Sequence, residues 1–182
     1  MRVRPLEGND EELYCNLYTD AQVMRYICAP LSHEQARRSF RKMIKLPRPA
    51  CGPFLFAMVD KGSDCPMGIA AVADIDLHLL KSVEVGILLR VEAWSRGYAG
   101  EGISGLAAMV FSALPIDSLW VQYQGANAAA GHLFAKLGFV QQADLAISGQ
   151  QCSQTRAAIS WSDWVRATHN RGEKNVDSHQ LS

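Results

Sequence analysis

Along most of the chain, hydrophobic positions either alternate with polar ones or recur every three to four residues, and these two periods separate strands from helices. Residues 3–6 predict a short first strand, and residues 10–18 have helical composition with Leu13 and Leu17 four apart. Ser32, with Gln35 three positions on, has the form of a capping box opening a basic amphipathic helix that runs through Ile44. Three apolar, β-rich runs follow at 54–59, 67–75 and 83–89; the first ends in the turn Asp60-Lys61-Gly62, and their succession predicts an antiparallel meander. The period then changes. Ile103, Leu106, Val110 and Leu114 are spaced as one helix face over 98–114. Residues 119–123 predict a strand and 127–137 a helix with the stripe Ala130, Leu133, Phe134 and Leu137. Asn127 suits its N-cap, Lys136 its last turn and Gly138 the left-handed position past its end. Residues 139–145 and 155–161 close the order β-α-α-β-β-β-α-β-α-β-β. From Arg166 onward the chain is polar, which predicts one domain over 1–165 and a disordered tail over 166–182.

Composition narrows the choice of partner. The chain has 182 residues, 48% hydrophobic and 20% charged, enough for one domain with its own core. Lysine plus arginine (18) equals aspartate plus glutamate (18), so no net field draws it to nucleic acid or to an anionic membrane. The five cysteines form no C-x-x-C pair and no metal-ligand spacing with the five histidines, so neither a metal nor a disulfide framework is expected. The polar opening Met1-Arg2-Val3-Arg4-Pro5 lacks an apolar signal core, and a cytoplasmic location is the expectation.

The most informative stretch runs from Glu84 to Gly102: a strand, a loop containing Gly97, and a helix start rich in glycine. Glycine lets backbone amides approach a ligand closely, and the first turn of a helix offers unpaired N–H groups at the positive end of its dipole. The arrangement therefore suits a phosphate or pyrophosphate. For an isolated G-x-x-G-x-G a structural turn is the commoner explanation, so the spacing alone is a weak signal. The G-x-G-x-x-G of dinucleotide folds is absent, and so is the Gly-Lys-Ser/Thr ending of a Walker loop.

Trp94-Ser95-Arg96-Gly97-Tyr98-Ala99 resembles motif A of the GNAT (Gcn5-related N-acetyltransferase) superfamily, Gln/Arg-x-x-Gly-x-Gly/Ala, in the tryptophan-first form of the RimJ/RimL ribosomal-protein branch. Glu84-Val85-Gly86, Asn127-x-x-Ala130, Leu137-Gly138-Phe139, Arg4-Pro5-Leu6, Asp20-x-x-Val23-Met24-Arg25-Tyr26 and Asp163-Trp164 are similar to that branch as well, so the resemblance spans nearly residues 3–164. It implies an α/β fold whose mixed, mostly antiparallel sheet of about seven strands splays at the cofactor site and is flanked by four helices. It implies acetyl-CoA as cosubstrate, its pantetheine bonded by amides near Ile87 and Leu89. The pyrophosphate would rest on amides of Arg96, Gly97, Tyr98, Ala99 and Gly100, with a charged contact from Arg96. Asn127 resembles the family asparagine that touches the cofactor, although capping alone also explains it. The implied acceptor is an amine, on a small molecule or a protein N-terminus, and the implied assembly a monomer or homodimer.

One departure bears on mechanism. The family's tyrosine acid falls at Phe134, which has no proton to give and lies on an apolar helix stripe. A catalytically silent acyl-CoA sensor is therefore the competing expectation. Glu84, in an apolar strand at the foot of the implied splay, is the candidate base; its other reading is a solvated strand carboxylate. Asp74 and Asp76 share one strand face by the two-residue period; a solvated edge is the expected role for the pair, and the other reading is the border of an acceptor pocket walled by loops 26–31 and 146–154.

Overall fold

The computed structural model describes residues 1–45, 53–76, 78, 81–142 and 154–177, with side chains described through His169. Seven strands, β1 (Arg2–Pro5), β2 (Phe54–Val59), β3 (Pro66–Asp76), β4 (Ser82–Leu89), β5 (Ser118–Gln124), β6 (Val140–Gln141) and β7 (Gln154–Ser160), form one sheet in the order β1-β2-β3-β4-β5-β7-β6. All pairings are antiparallel except β4 with β5. This is the splayed mixed sheet expected from the sequence.

Each face of the sheet buries a different set of helices. Val83, Val85 and Leu89 of β4, with Leu119 and Val121 of β5, pack under α4 (Tyr98–Ala113) and α5 (Ala128–Lys136). Ala57, Val59 and Ile69 pack on the other face, under α1 (Glu11–Thr19) and α3 (His33–Lys45) through Leu13, Tyr14, Leu17 and Phe40. The strand period of two divides the apolar positions between these cores.

The helix ends follow local chemistry. Ser32 and Gln35 close a reciprocal capping box on α3, Ser32 N–H to Gln35 Oε1 at 2.8 Å and Gln35 N–H to Ser32 Oγ at 3.2 Å. Gly138 follows α5 with a φ of 92°, the left-handed conformation its position predicted.

Among the described residues there are six helices rather than the four expected. Asp20 interrupts the first helical stretch and starts α2 (Ala21–Met24), its Oδ1 accepting from the N–H groups of Gln22 at 2.7 Å and Val23 at 3.2 Å. The second extra helix, α6 (Trp161–Asp177), lies where strand end and frayed tail were expected. Ser160 Oγ accepts from Asp163 N–H at 3.1 Å, turning the chain out of β7. Trp164 is buried beside Phe111, and Ala167 lies 3.3 Å from where a Cβ on Gly138 would stand. Average polarity hid this: among the described side chains the helix is anchored by a few residues, Trp161 and Trp164 beside Phe111 and Ala167 beside Gly138. The expected strand over 139–145 is seen as Val140–Gln141, with 143–145 outside the described residues.

Candidate active site

β4 and β5 pair at Ser82 with Ser118, Val83 with Leu119 and Glu84 with Trp120, and then part. Beyond that point residues 85–89 keep their pairing to β3 and residues 121–124 keep theirs to β7. A strand turns its N–H and C=O groups alternately to either side, so parting leaves alternate backbone groups of 85–89 facing a gap. The side chains of Ile87 and Leu89 pack with the core cluster that includes residues of α4, and their backbone groups border the gap.

The loop after β4 is tied down at its start. Trp94 Nε1 donates to the Leu89 carbonyl at 3.1 Å, and Arg90 N–H donates to the Met67 carbonyl at 2.9 Å. Ser95 and Gly97 then take left-handed φ values of 58° and 84° on either side of Arg96, a winding that gathers successive N–H groups into a concavity. The first rung of α4 is Glu101 N–H to Gly97 carbonyl at 3.1 Å, so the N–H groups of Tyr98, Ala99 and Gly100 stand ahead of it without helical acceptors. A Cβ on Gly97 would meet nothing within 4 Å, so the space beside the loop is open. The Arg96 guanidinium lies 5.5 Å from the Tyr98 ring centroid, on an exposed side chain able to reach an anion in that space.

Asn127 caps α5, its Oδ1 accepting from Ala130 N–H at 3.1 Å. That bond engages the oxygen and leaves the carboxamide N–H donors available. Gly100 faces Leu133 of α5 at 3.9 Å from its virtual Cβ, so α4 begins beside α5.

Glu84 is half-buried on the opposite side of the sheet from α4. Burial, reinforced by the charge of Asp74, pushes its carboxyl above the usual range, while Arg156 pulls it down. Asp74 does not sit as the two-residue period predicted. β3 spends three steps from Ala73 to Asp76 where β4 spends two from Glu84 to Ser82, and Asp74 has a φ of 41° in this bulge. The alternation that placed Asp74 and Asp76 on one face is therefore broken. Gly86, two residues from Glu84 on the same face, has nothing within 4 Å of a virtual Cβ.

Phe134 is buried between Tyr123, 5.6 Å away by ring centroids, and Phe139 at 5.5 Å. The Tyr123 hydroxyl is directed to β6, where it accepts from Gln141 Nε2 at 3.1 Å. A cavity of about 320 Å³ lies on that side of α5. Two residues at the gap escaped sequence reasoning. Trp120 is the register partner of Glu84, and Arg156 of β7 stacks its guanidinium 3.8 Å from the Trp120 ring centroid. Only pairing register brings them together. Of the expected acceptor walls, 26–31 is described and 146–153 lies outside the described residues. Among the described residues no group of three or more His, Cys, Asp or Glu could hold a metal ion, and no helix is long and apolar enough to cross a membrane.

The splayed strands and amide-lined helix start define an acyl-CoA-binding transferase fold. The Acetyltransferase (GNAT) domain family model matches residues 1–140, and the chain belongs to that family. It is an acetyl-CoA-dependent N-acyltransferase, with an amine as acceptor. The fold is similar to that of spermidine N-acetyltransferase from Vibrio cholerae in complex with CoA and spermine, with a TM-score of 0.75 and 22% identity over 90% of this chain and 97% of that one. It is also similar to a GNAT-family acetyltransferase from Bacillus anthracis, with a TM-score of 0.71 and 17% identity over 87% and 93%. None of the curated proteins matches the chain.

Proposed function

We propose that this chain acetylates a small soluble amine in the cytoplasm, with Glu84 as general base and the 96–100 loop as the pyrophosphate cradle. The observation that carries the reading is the parting of β4 and β5 immediately after Glu84, next to a helix start whose amides are unengaged. Acetyl-CoA supplies an activated acyl group and a thiol leaving group of pKa roughly 8.5, which departs as thiolate at modest cost near neutral pH. The N–H groups of Arg96, Gly97, Tyr98, Ala99 and Gly100 hold the diphosphate, and open backbone groups near Ile87 and Leu89 orient the pantetheine. The Asn127 carboxamide donates from the α5 side. Glu84 Oε takes the proton from the attacking nitrogen, and its raised pKa suits it to that work. Phe134 excludes water and gives no proton.

A small-molecule acceptor is favoured over a protein N-terminus by the fold's likeness to an enzyme whose own acceptors are named as polyamines. Free-thiol release from acetyl-CoA tests this with a panel of polyamines, amino acids and N-terminal peptides, alongside calorimetric CoA binding. The expected result is CoA binding and thiol release with at least one small amine. Release with peptides alone overturns the small-molecule assignment, and binding without release from any amine makes the protein a sensor.

A further inference from the structure

We infer that the acceptor amine carries a carboxylate, and that Arg156, stacked on Trp120 beside the parting of β4 and β5, recognises it. The inference rests on the transfer reading above and specifies the substrate class for that site.

Register puts the groups on one face. Glu84 pairs with Trp120 in parallel and Trp120 pairs with Ala158, so these three side chains project the same way, and Arg156, two residues from Ala158, joins them. The guanidinium lies over the indole, its central carbon 3.8 Å from the ring centroid, a separation close to van der Waals contact that suits parallel stacking. Stacking occupies one face of the guanidinium and fixes its plane, leaving edge N–H groups for the in-plane, bidentate contact that suits a carboxylate.

The guanidinium is also under-used. Arg156 Nε is buried with no hydrogen-bond partner, and Arg156 forms no ion pair among the described residues. A buried donor left without an acceptor is costly, and the terminal guanidinium N–H groups, which are not buried, are the ones a carboxylate can reach. Arg90 Nε is orphaned too, but Arg90 stands beyond the end of β4, in a cavity of about 320 Å³ whose lining also includes the carboxylates of Asp20 and Glu92.

The cofactor's own phosphates do not answer for Arg156. They would lie at the loop beyond Leu89, roughly 16 Å along β4 from Glu84 at about 3.3 Å per residue. What lies beside Arg156 is Glu84 and the empty space over Gly86. A carboxylate on one side and a guanidinium on the other match a short zwitterion, its amine at Glu84 and its carboxylate at Arg156. A polyamine meets a like charge at Arg156 and gains nothing from it.

The test compares matched acceptors with saturating acetyl-CoA: a set of α-amino acids, the corresponding amino acid amides, and spermidine. For the acetylated amino acid, kcat/KM should exceed that of its amide by about 10- to 100-fold, as expected of a charge-assisted hydrogen bond, mostly through KM. Arg156→Gln should collapse that ratio to near 1 whatever it does to absolute rates, and Arg156→Lys should restore part of it. Calorimetric CoA binding checks that each variant is folded. A second readout is the Arg156 Nε–H resonance, identified by its loss in Arg156→Lys; with CoA present it should shift on titration with the amino acids and not with the amides. Equal rates for acid and amide in the wild type, or a ratio unchanged in Arg156→Gln, overturn the carboxylate assignment and leave acetyl transfer standing. An Arg156 resonance indifferent to carboxylates overturns it as well. Absence of CoA binding together with absence of thiol release from every amine overturns the transfer reading, and this inference with it.

Discussion

Glu84 of β4 and Trp120 of β5 form the last register pair before their strands separate, which sets a half-buried carboxylate at the floor of the gap. Glu84→Gln is expected to keep CoA affinity, since the proposed cofactor contacts are backbone amides elsewhere, and to lower turnover by about 10²- to 10⁴-fold. The acidic limb of the wild-type pH–rate profile should lie above the ordinary carboxylate range and vanish in the variant. Near-normal turnover with an unaltered profile would make Glu84 a strand-surface carboxylate.

The same residue links activity to stability. Burial first, then the charge of Asp74 on β3, raise its folded-state pKa, and Arg156 on β7 opposes them. A carboxyl whose pKa is raised on folding contributes stability while protonated and loses it as pH rises through the folded value. Glu84→Gln is therefore expected to raise Tm at neutral pH, and the gain should disappear below about pH 4.3, the unfolded value, where both side chains are neutral. Scanning calorimetry at the two pH values checks the sign; a lower Tm at neutral pH would contradict it.

Gly97 combines a φ of 84° with open space where its Cβ would be. Gly97→Val should stay folded at a backbone cost of about 1–3 kcal/mol and lose CoA affinity at least tenfold, because the new side chain fills the anion concavity and strains its amides. A calorimetric titration showing unchanged affinity would dissociate the loop from the cofactor.

Two other glycines matter for packing. A Cβ on Gly102 would stand 1.9 Å from Met58 Cε, the free end of a flexible side chain, whereas one on Gly68 would stand 2.2 Å from the Leu88 carbonyl oxygen, part of the backbone. Gly102→Ala should cost about 1–3 kcal/mol, with part recovered by Met58→Ala in a double-mutant cycle. Gly68→Ala should cost more, since the neighbouring strand itself must move. Denaturant melts that reverse this order would refute the packing argument.

Among the described side chains, α6 meets the rest of the domain through Trp161 and Trp164, both beside Phe111, and through Ala167 beside Gly138. Truncation after His169 is expected to leave Tm nearly unchanged, whereas truncation after Asp163 removes a buried tryptophan, worth about 3–5 kcal/mol by analogy with Trp→Ala changes. Equal melting temperatures for the two truncations would show that α6 contributes nothing to the fold.

Much of this protein is written locally. The two hydrophobic periods place the strands and four of the helices, because burying one face leaves a periodic record whatever the partner element is. Caps are equally legible: the Ser32–Gln35 reciprocity and the Asn127 cap engage neighbours three residues away and need no tertiary context. The loop around Gly97 is legible for the same reason, since a concavity of backbone amides, the proposed phosphate cradle, is made of consecutive residues. Local signals failed where a single anchor outweighs composition, as Trp164 does in α6, or where one extra residue breaks an alternation, as at Asp74.

By itself the sequence determined the element order, the glycine loop ahead of α4, and the absence of a tyrosine at position 134, all of which depend on residues close together in the chain. Only the tertiary structure decided that β4 and β5 separate after Glu84, that Trp120 stands opposite it, and that Arg156 lies on that indole. Those relationships join residues 36 apart on two strands and 36 apart again on a third, and strand register is set by packing across the whole sheet, which no single segment encodes.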